Sequence, residues 1–283
     1  MKARSGSSDQ RQRGQAETLQ QAAFALQSGR PLDAERMAGE FLKTNASHPD
    51  AAMLLGCALL MQERFAEAVP PLETAARANP NPQVETQLAI ALRRAGDSDA
   101  ALVWLQRAIK RTPPFPPAFH ELSSLLNALA RPGEAVEVLK QGIAVAPTTP
   151  ELWSQLGVIC SGMNDRTGAA EAYSRALVIN PLHPGAVKGM TSLLMREGDY
   201  AGAATLFKRV VAAYPEEASA RMGLGICLLE LGDEDAAFDS LRASIAKGVR
   251  IETVLKAILS SARGRFWLNP SRAAAFLKSG SAF

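Results

Sequence analysis

The sequence predicts an all-α chain made of stacked helical hairpins, and three observations carry that expectation. A period of about 34 residues runs through most of the 283 residues, each period holds two apolar stripes at helical spacing, and Gly and Pro recur at fixed offsets between them. Residues 150–183 show the pattern most clearly. Trp153, Leu156, Gly157 and Cys160 fall at repeat positions 4, 7, 8 and 11, and Ala169, Tyr173, Ala176 and Pro181 at positions 20, 24, 27 and 32. Steps of one period downstream land on Met190, Leu194, Ala203, Phe207, Val210 and Pro215, then on Leu224, Gly225, Leu228, Ala237, Leu241 and Ser244. Upstream, the same phase picks out Phe119, Leu122, Ala135 and Leu139, then Leu88, Ala89, Ala101 and Leu105, then Leu55, Gly56, Ala68 and Leu72.

Each element follows from these residue types. Positions 4, 7 and 11 form an i, i+3, i+7 stripe on a first helix, A, and positions 20, 24 and 27 an i, i+4, i+7 stripe on a second, B. Small residues at 8 and 20 let the two backbones approach, and the large residue at 24 fills the gap between neighbouring hairpins. Gly29, Gly96, Gly198 and Gly232 at position 15 mark the A–B turn, where a left-handed backbone is cheap only for Gly. Pro31 and Pro132 at position 17 suit the first turn of helix B, which has no intrahelical partner for the missing N–H. The Asn-Pro and Ala-Pro pairs at 79–80, 146–147 and 180–181 end helix B. Pro70 and Pro71 lie inside a helix B and are expected to bend it, and the run TPPFPP at 112–117 is expected to stiffen an inter-repeat joint.

In these residues the chain resembles the tetratricopeptide repeat family over roughly residues 15–251. The resemblance implies an α-solenoid of about seven hairpins (15–48, 49–81, 82–115, 116–149, 150–183, 184–217 and 218–251) wound as a right-handed superhelix. Residues 1–14 are expected to be a disordered basic N-terminus. Residues 252–283 are expected to supply a capping helix, with Val254, Leu255, Ile258 and Leu259 on its covered stripe, and a short terminal helix or tail. By the same resemblance, helix A positions 2, 5, 6, 9, 12 and 13 line a concave groove for a peptide or helix of a partner protein. That row reads Leu19, Ala23, Leu26, Met53, Cys57, Leu60 and Met61 in the first two repeats, an apolar, Met-rich surface. It turns polar through Ile90, Arg94, His120, Asn127 and Ser154, and continues through Lys188 and Arg196. The Lys and Asn of repeats that clamp C-terminal carboxylates are missing: position 9 reads Ala23, Cys57, Ile90, Ser124, Val158, Ser192 and Ile226. An Asn ladder like that of O-linked N-acetylglucosamine transferase is missing too.

Composition narrows the classes. With 47% hydrophobic and 21% charged residues the chain buries a core and is not intrinsically disordered. Cys57, Cys160 and Cys227 each stand inside an apolar helical pattern, which fits reduced cysteines in a cytoplasmic protein. No apolar run resembles a signal peptide or a membrane span. The net charge of +3 is uneven, because residues 1–14 and 253–283 are basic and the body between them is acidic. That balance disfavours nucleic acid as a partner. Phe266, Trp267 and Leu268 beside unopposed basic residues leave two readings of the tail open, folding back on the cap or binding an anionic membrane through residues 264–278. Phosphate loops, nucleophile elbows and zinc motifs do not occur, and His120 has no recognisable catalytic partner, so no enzyme, cofactor, metal or small-molecule substrate is expected. His48 and His183 read as inter-repeat punctuation. The expected function is a non-enzymatic scaffold or adaptor acting as a monomer or weak homo-oligomer. The alternatives are a regulatory or targeting subunit of a separately encoded enzyme such as a transferase, and a self-assembling or peripheral membrane protein.

Overall fold

The computed structural model describes residues 16–260, and among them every regular element is a helix. The chain divides into two compact units at Pro147 and Thr148. The N-terminal unit contains α1 (residues 16–27), α2 (Pro31–Thr44), α3 (Pro49–Met61), α4 (Phe65–Ala78), α5 (Pro82–Ala95), α6 (Ser98–Ala108), α7 (Pro116–Ala128) and α8 (Pro132–Val145). In the C-terminal unit follow α9 (Pro150–Gly162), α10 (Arg166–Ile179), α11 (Pro184–Glu197), α12 (Tyr200–Ala213), α13 (Ala218–Leu231), α14 (Glu234–Ala246) and α15 (Ile251–Ser260). Within each unit a helix packs on its successor, and first helices also touch the next first helix: α3 on α5, α5 on α7, and α9 on α11. Each unit is thus a solenoid of hairpins.

Small residues hold the helices together. Ala34, Ala68, Ala101, Ala135, Ala169, Ala203 and Ala237, at position 20, are all fully buried, so the A and B backbones meet with little between them. Position 8 completes the contact: a Cβ on Gly56 would collide with Leu72, and one on Gly225 would stand 2.7 Å from Leu241 Cγ. Where position 8 is polar, the hydroxyl turns back on its own helix, Ser123 Oγ donating to the His120 carbonyl (2.8 Å) and Thr191 Oγ1 to that of Val187 (2.8 Å). The described stack ends on α15, whose Val254 and Ile258 are fully buried against α13 and α14 with Leu255 partly buried beside them, while Leu259 is 53% exposed, which corrects its place on the covered stripe. The expected tail helix and the aromatic run at 266–268 lie outside the described residues, as do residues 1–14. Helix α4 runs through Pro70 and Pro71 as a single helix, and α7 starts at Pro116, the fifth residue of TPPFPP.

The turns hold a regularity that the glycines only hinted at. The backbone is left-handed at position 15 of all seven hairpins, at Gly29, Gly96, Gly198 and Gly232 but also at Glu63 (φ 59), Ala130 (φ 58) and Asn164 (φ 62). A Cβ in that region costs about 1–2 kcal/mol. Ala130→Gly therefore raises stability by about 0.5–1 kcal/mol after the greater freedom of the unfolded glycine chain is subtracted. A rise in the urea midpoint at unchanged slope is the expected reading.

One residue further on, two solutions alternate. Asp97, Asp165, Asp199 and Asp233 cap their B helices by accepting the N–H of Ala100, Gly168, Gly202 and Ala236. Arg30, Arg64 and Arg131 cannot accept, and each instead pairs with an acid three residues on: Asp33, Glu67 (2.6 Å) and Glu134 (2.6 Å). That acid meets the positive end of the helix from inside the first turn. His48 and His183 cap α3 and α11 through Nδ1, which accepts the N–H of Ala51 (3.5 Å) and of Ala186 (3.2 Å).

Candidate partner-binding face

The first helices of the hairpins, α3, α5 and α7 in one unit and α9, α11 and α13 in the other, carry the face that the repeat pattern assigns to recognition. In the N-terminal unit, Met53, Leu60 and Met61 lie at i, i+7 and i+8 on α3 and share one side of it. Met53 and Leu60 are half-buried and Met61 is 50% exposed. Cys57 is also half-buried and donates its Sγ–H to Gln87 Oε1 across to α5 (2.9 Å), while burial pushes its thiol up to about 11. Such a thiol stays protonated and unreactive at neutral pH.

The first hairpin differs from the expectation. Leu19, Ala23 and Leu26 are not an open row: all three are partly buried against Ala22, Ala38 and Leu54, and Leu26 also against Ala25, Ala34 and Ala58. Position 24 of this repeat is only Ala38, so side chains from α1 occupy space that Leu, Tyr or Phe takes in later repeats.

Further along, charges cross from hairpin to hairpin. Arg93 Nη2 reaches Glu121 Oε2 at 3.1 Å, and His120 Nδ1 stands 3.7 Å from Glu121 Oε1. His120, then the Arg93 charge, hold the Glu121 carboxyl below the usual range against the opposing effect of burial. The Arg94 guanidinium lies 4.6 Å over the Phe65 ring, so this exposed cation is held in place by the preceding hairpin. Ile90 is half-buried and Asn127 exposed. In the C-terminal unit Lys188 and Arg196 are exposed on α11, but Ser154 is only 5% exposed, which corrects its assignment to an open surface. Its Oγ lies against Gly185, where an added Cβ would come within 2.7 Å of it.

The residue that periodicity assigned to packing alone, Tyr173, is the one this face adds. Its ring lies between Gly157 of its own hairpin and Gly189 of the next, and a Cβ on either glycine would clash with it. The pairing recurs, since Phe207 lies in the same way against Gly223. An aromatic residue at position 24 followed by Gly at position 6 of the next repeat was the available signal. Among the described residues, no group of three His, Cys, Asp or Glu side chains is placed to hold a metal, and no helix is long and apolar enough to cross a membrane.

The tetratricopeptide repeat family matches residues 19–82 and 192–248. The chain is a tetratricopeptide repeat protein. Its fold recurs in solved structures of the same kind. A tetratricopeptide repeat protein from Parabacteroides merdae has a TM-score of 0.60 at 14% identity, over 87% of this chain and 97% of its own. Pseudomonas aeruginosa PilF has a TM-score of 0.59 at 18% identity, over 82% and 97%. A chain of the Cut9–Hcn1 hetero-tetramer of the APC/C has a TM-score of 0.61 at 14% identity, over 85% of this repeat protein and 48% of its own length. At these identities the likeness is one of fold. No curated protein matches the sequence.

Proposed function

We propose that this repeat protein is a non-enzymatic cytoplasmic scaffold that holds a peptide or helix of a partner protein against the first-helix face of its hairpins. One observation carries the reading: Met53, Leu60 and Met61 form a half-exposed apolar row on α3. Flexible, polarizable Met side chains suit a surface that adapts to the apolar side of a docked segment. Arg94, His120 and Asn127 continue the face with polar groups that fix the orientation of what binds. A role in targeting a separately encoded enzyme would use the same face.

Affinity capture with the full chain as bait tests this. The wild type and a Met53→Glu/Leu60→Glu variant, matched for helicity by circular dichroism, are compared by mass spectrometry. The expected result is a partner retained by the wild type and depleted at least tenfold by the variant. Partners captured equally by both contradict an α3-centred site.

A further inference from the structure

We infer that the exposed end of the first hairpin, around Phe24, is a homodimerisation surface on which a second copy of this chain packs about a two-fold axis. This surface uses no residue of the α3 row proposed above for a partner protein.

The later hairpins supply the comparison. At position 10 of the first helix each of them carries a buried apolar side chain: Ala58, Ala91, Leu125, Ile159, Leu193 and Cys227, none more than 4% exposed. The preceding hairpin covers them. Ala58 is buried together with Ala25 and Ala34, and Leu193 together with Cys160 and Ala169, so position 10 meets positions 11 and 20 of the hairpin before it. In the first hairpin position 10 is Phe24, which is 62% exposed, and among the described residues no hairpin lies on it. Position 3 departs in the same way, with exposed Glu17 where later hairpins bury Ala, Val or Leu. Beside Phe24 an open hollow of about 350 Å³ lies between α1 and α2, lined also by Glu17, Gln20, Gln21, Arg30 and Met37. A large aromatic side chain left in water beside such a hollow marks a contact surface.

The lining selects a second copy. Across a two-fold axis residue i of one copy touches residue j of the other and j touches i, so the surface must complement itself. This one does. Glu17 stands in the first turn of α1 and Arg30 just beyond its last, so an axis through the hollow sets Glu17 of each copy against Arg30 of the other. Arg30 is exposed and bonds Asp33 through Nη1 alone, which leaves guanidinium N–H donors for a second carboxylate. Gln20 and Gln21 both donate and accept, so their amides can pair with their own counterparts. Each Phe24 enters the hollow of the other copy, where Met37 offers it an adaptable apolar wall. The Arg30 guanidinium already lies 5.9 Å from the centre of the Phe24 ring, so charge and ring are presented together.

Sedimentation velocity of the full chain across a wide range of concentration tests this. The expected result is a reversible dimer whose dissociation constant rises more than about tenfold with Phe24→Glu. Because Phe24 is exposed, the helicity of that variant should match the wild type at concentrations where both are monomeric. Glu17→Arg and Arg30→Glu should each weaken the dimer, since like charges then face each other twice. An equimolar mixture of those two variants should associate as well as the wild type, since both contacts are restored between unlike copies. A monomer at every concentration overturns the inference, and so does a dimer that Phe24→Glu leaves intact. A mixture that associates no better than its components overturns the two-fold pairing. A monomer whose Phe24 resists hydroxyl-radical labelling overturns it too and assigns the face to another segment of the same chain.

Discussion

Tyr173→Ala lowers the stability of the C-terminal unit by about 3–5 kcal/mol, the range for truncating a buried aromatic residue. Tyr173 is buried against Ala169, Ala176, Ala186 and Leu193, with partly buried Trp153 and Leu156 beside it, and it is the large side chain that ties α10 to both α9 and α11. With glycine on either side of the ring, the helices have no side chains at those points with which to close the cavity. The companion substitution separates packing from propensity. Gly157→Ala improves helix propensity by about 1 kcal/mol, yet its Cβ would stand 2.6 Å from Tyr173 Cδ1, and relief of such overpacking costs about 1–3 kcal/mol. The net effect is destabilising. In a Tyr173→Leu background the loss should shrink, because Ala89 and Leu105 stand at the same two repeat positions and are both fully buried. Urea denaturation of the four chains of that cycle measures the coupling. An equal loss from Gly157→Ala in both backgrounds would show that the ring is not what requires the glycine.

The second large effect concerns a buried charge. Glu85 is fully buried on α5, and its carboxylate accepts two hydrogen bonds from Arg111, at 2.7 Å and 3.2 Å, with Arg107 at 3.6 Å. Arg111→Ala should lower the thermal midpoint by several degrees, since only Arg107 is then left to offset a carboxylate removed from water. Glu85→Leu should be far milder, because it removes the buried charge and leaves two arginines that are already partly exposed. Equal losses for the two variants would mean that the pair matters through packing instead of charge.

How legible all this was depends on what a period encodes. A repeat in one dimension fixes which side of a helix a residue occupies, so the buried position 20 alanines and the burial of Val254 and Ile258, though not the exposure of Leu259, followed directly from the sequence. What lies opposite that side is a property of the neighbouring hairpin. Ser154 has the phase of an open-face residue and is buried because α11 passes over it with a glycine, Gly185, at the crossing. Leu19, Ala23 and Leu26 have the phase of groove residues and pack because Ala38 leaves room for them. The left-handed turns at Glu63 and Ala130 were hidden because their residue types do not announce that backbone; closure of the hairpin imposes it. The exchange between Asp caps and Arg–acid pairs was visible as residue identities, but its sense came only from the geometry.

The most direct test of the central claim, that the first-helix face is the recognition surface, is hydroxyl-radical footprinting of the full chain with and without a captured partner. The account predicts protection of Met53, Leu60 and Met61, with Phe24 and Tyr214 labelled equally in both states. Protection of Phe24 and Tyr214 with unchanged labelling of Met53, Leu60 and Met61 would contradict it.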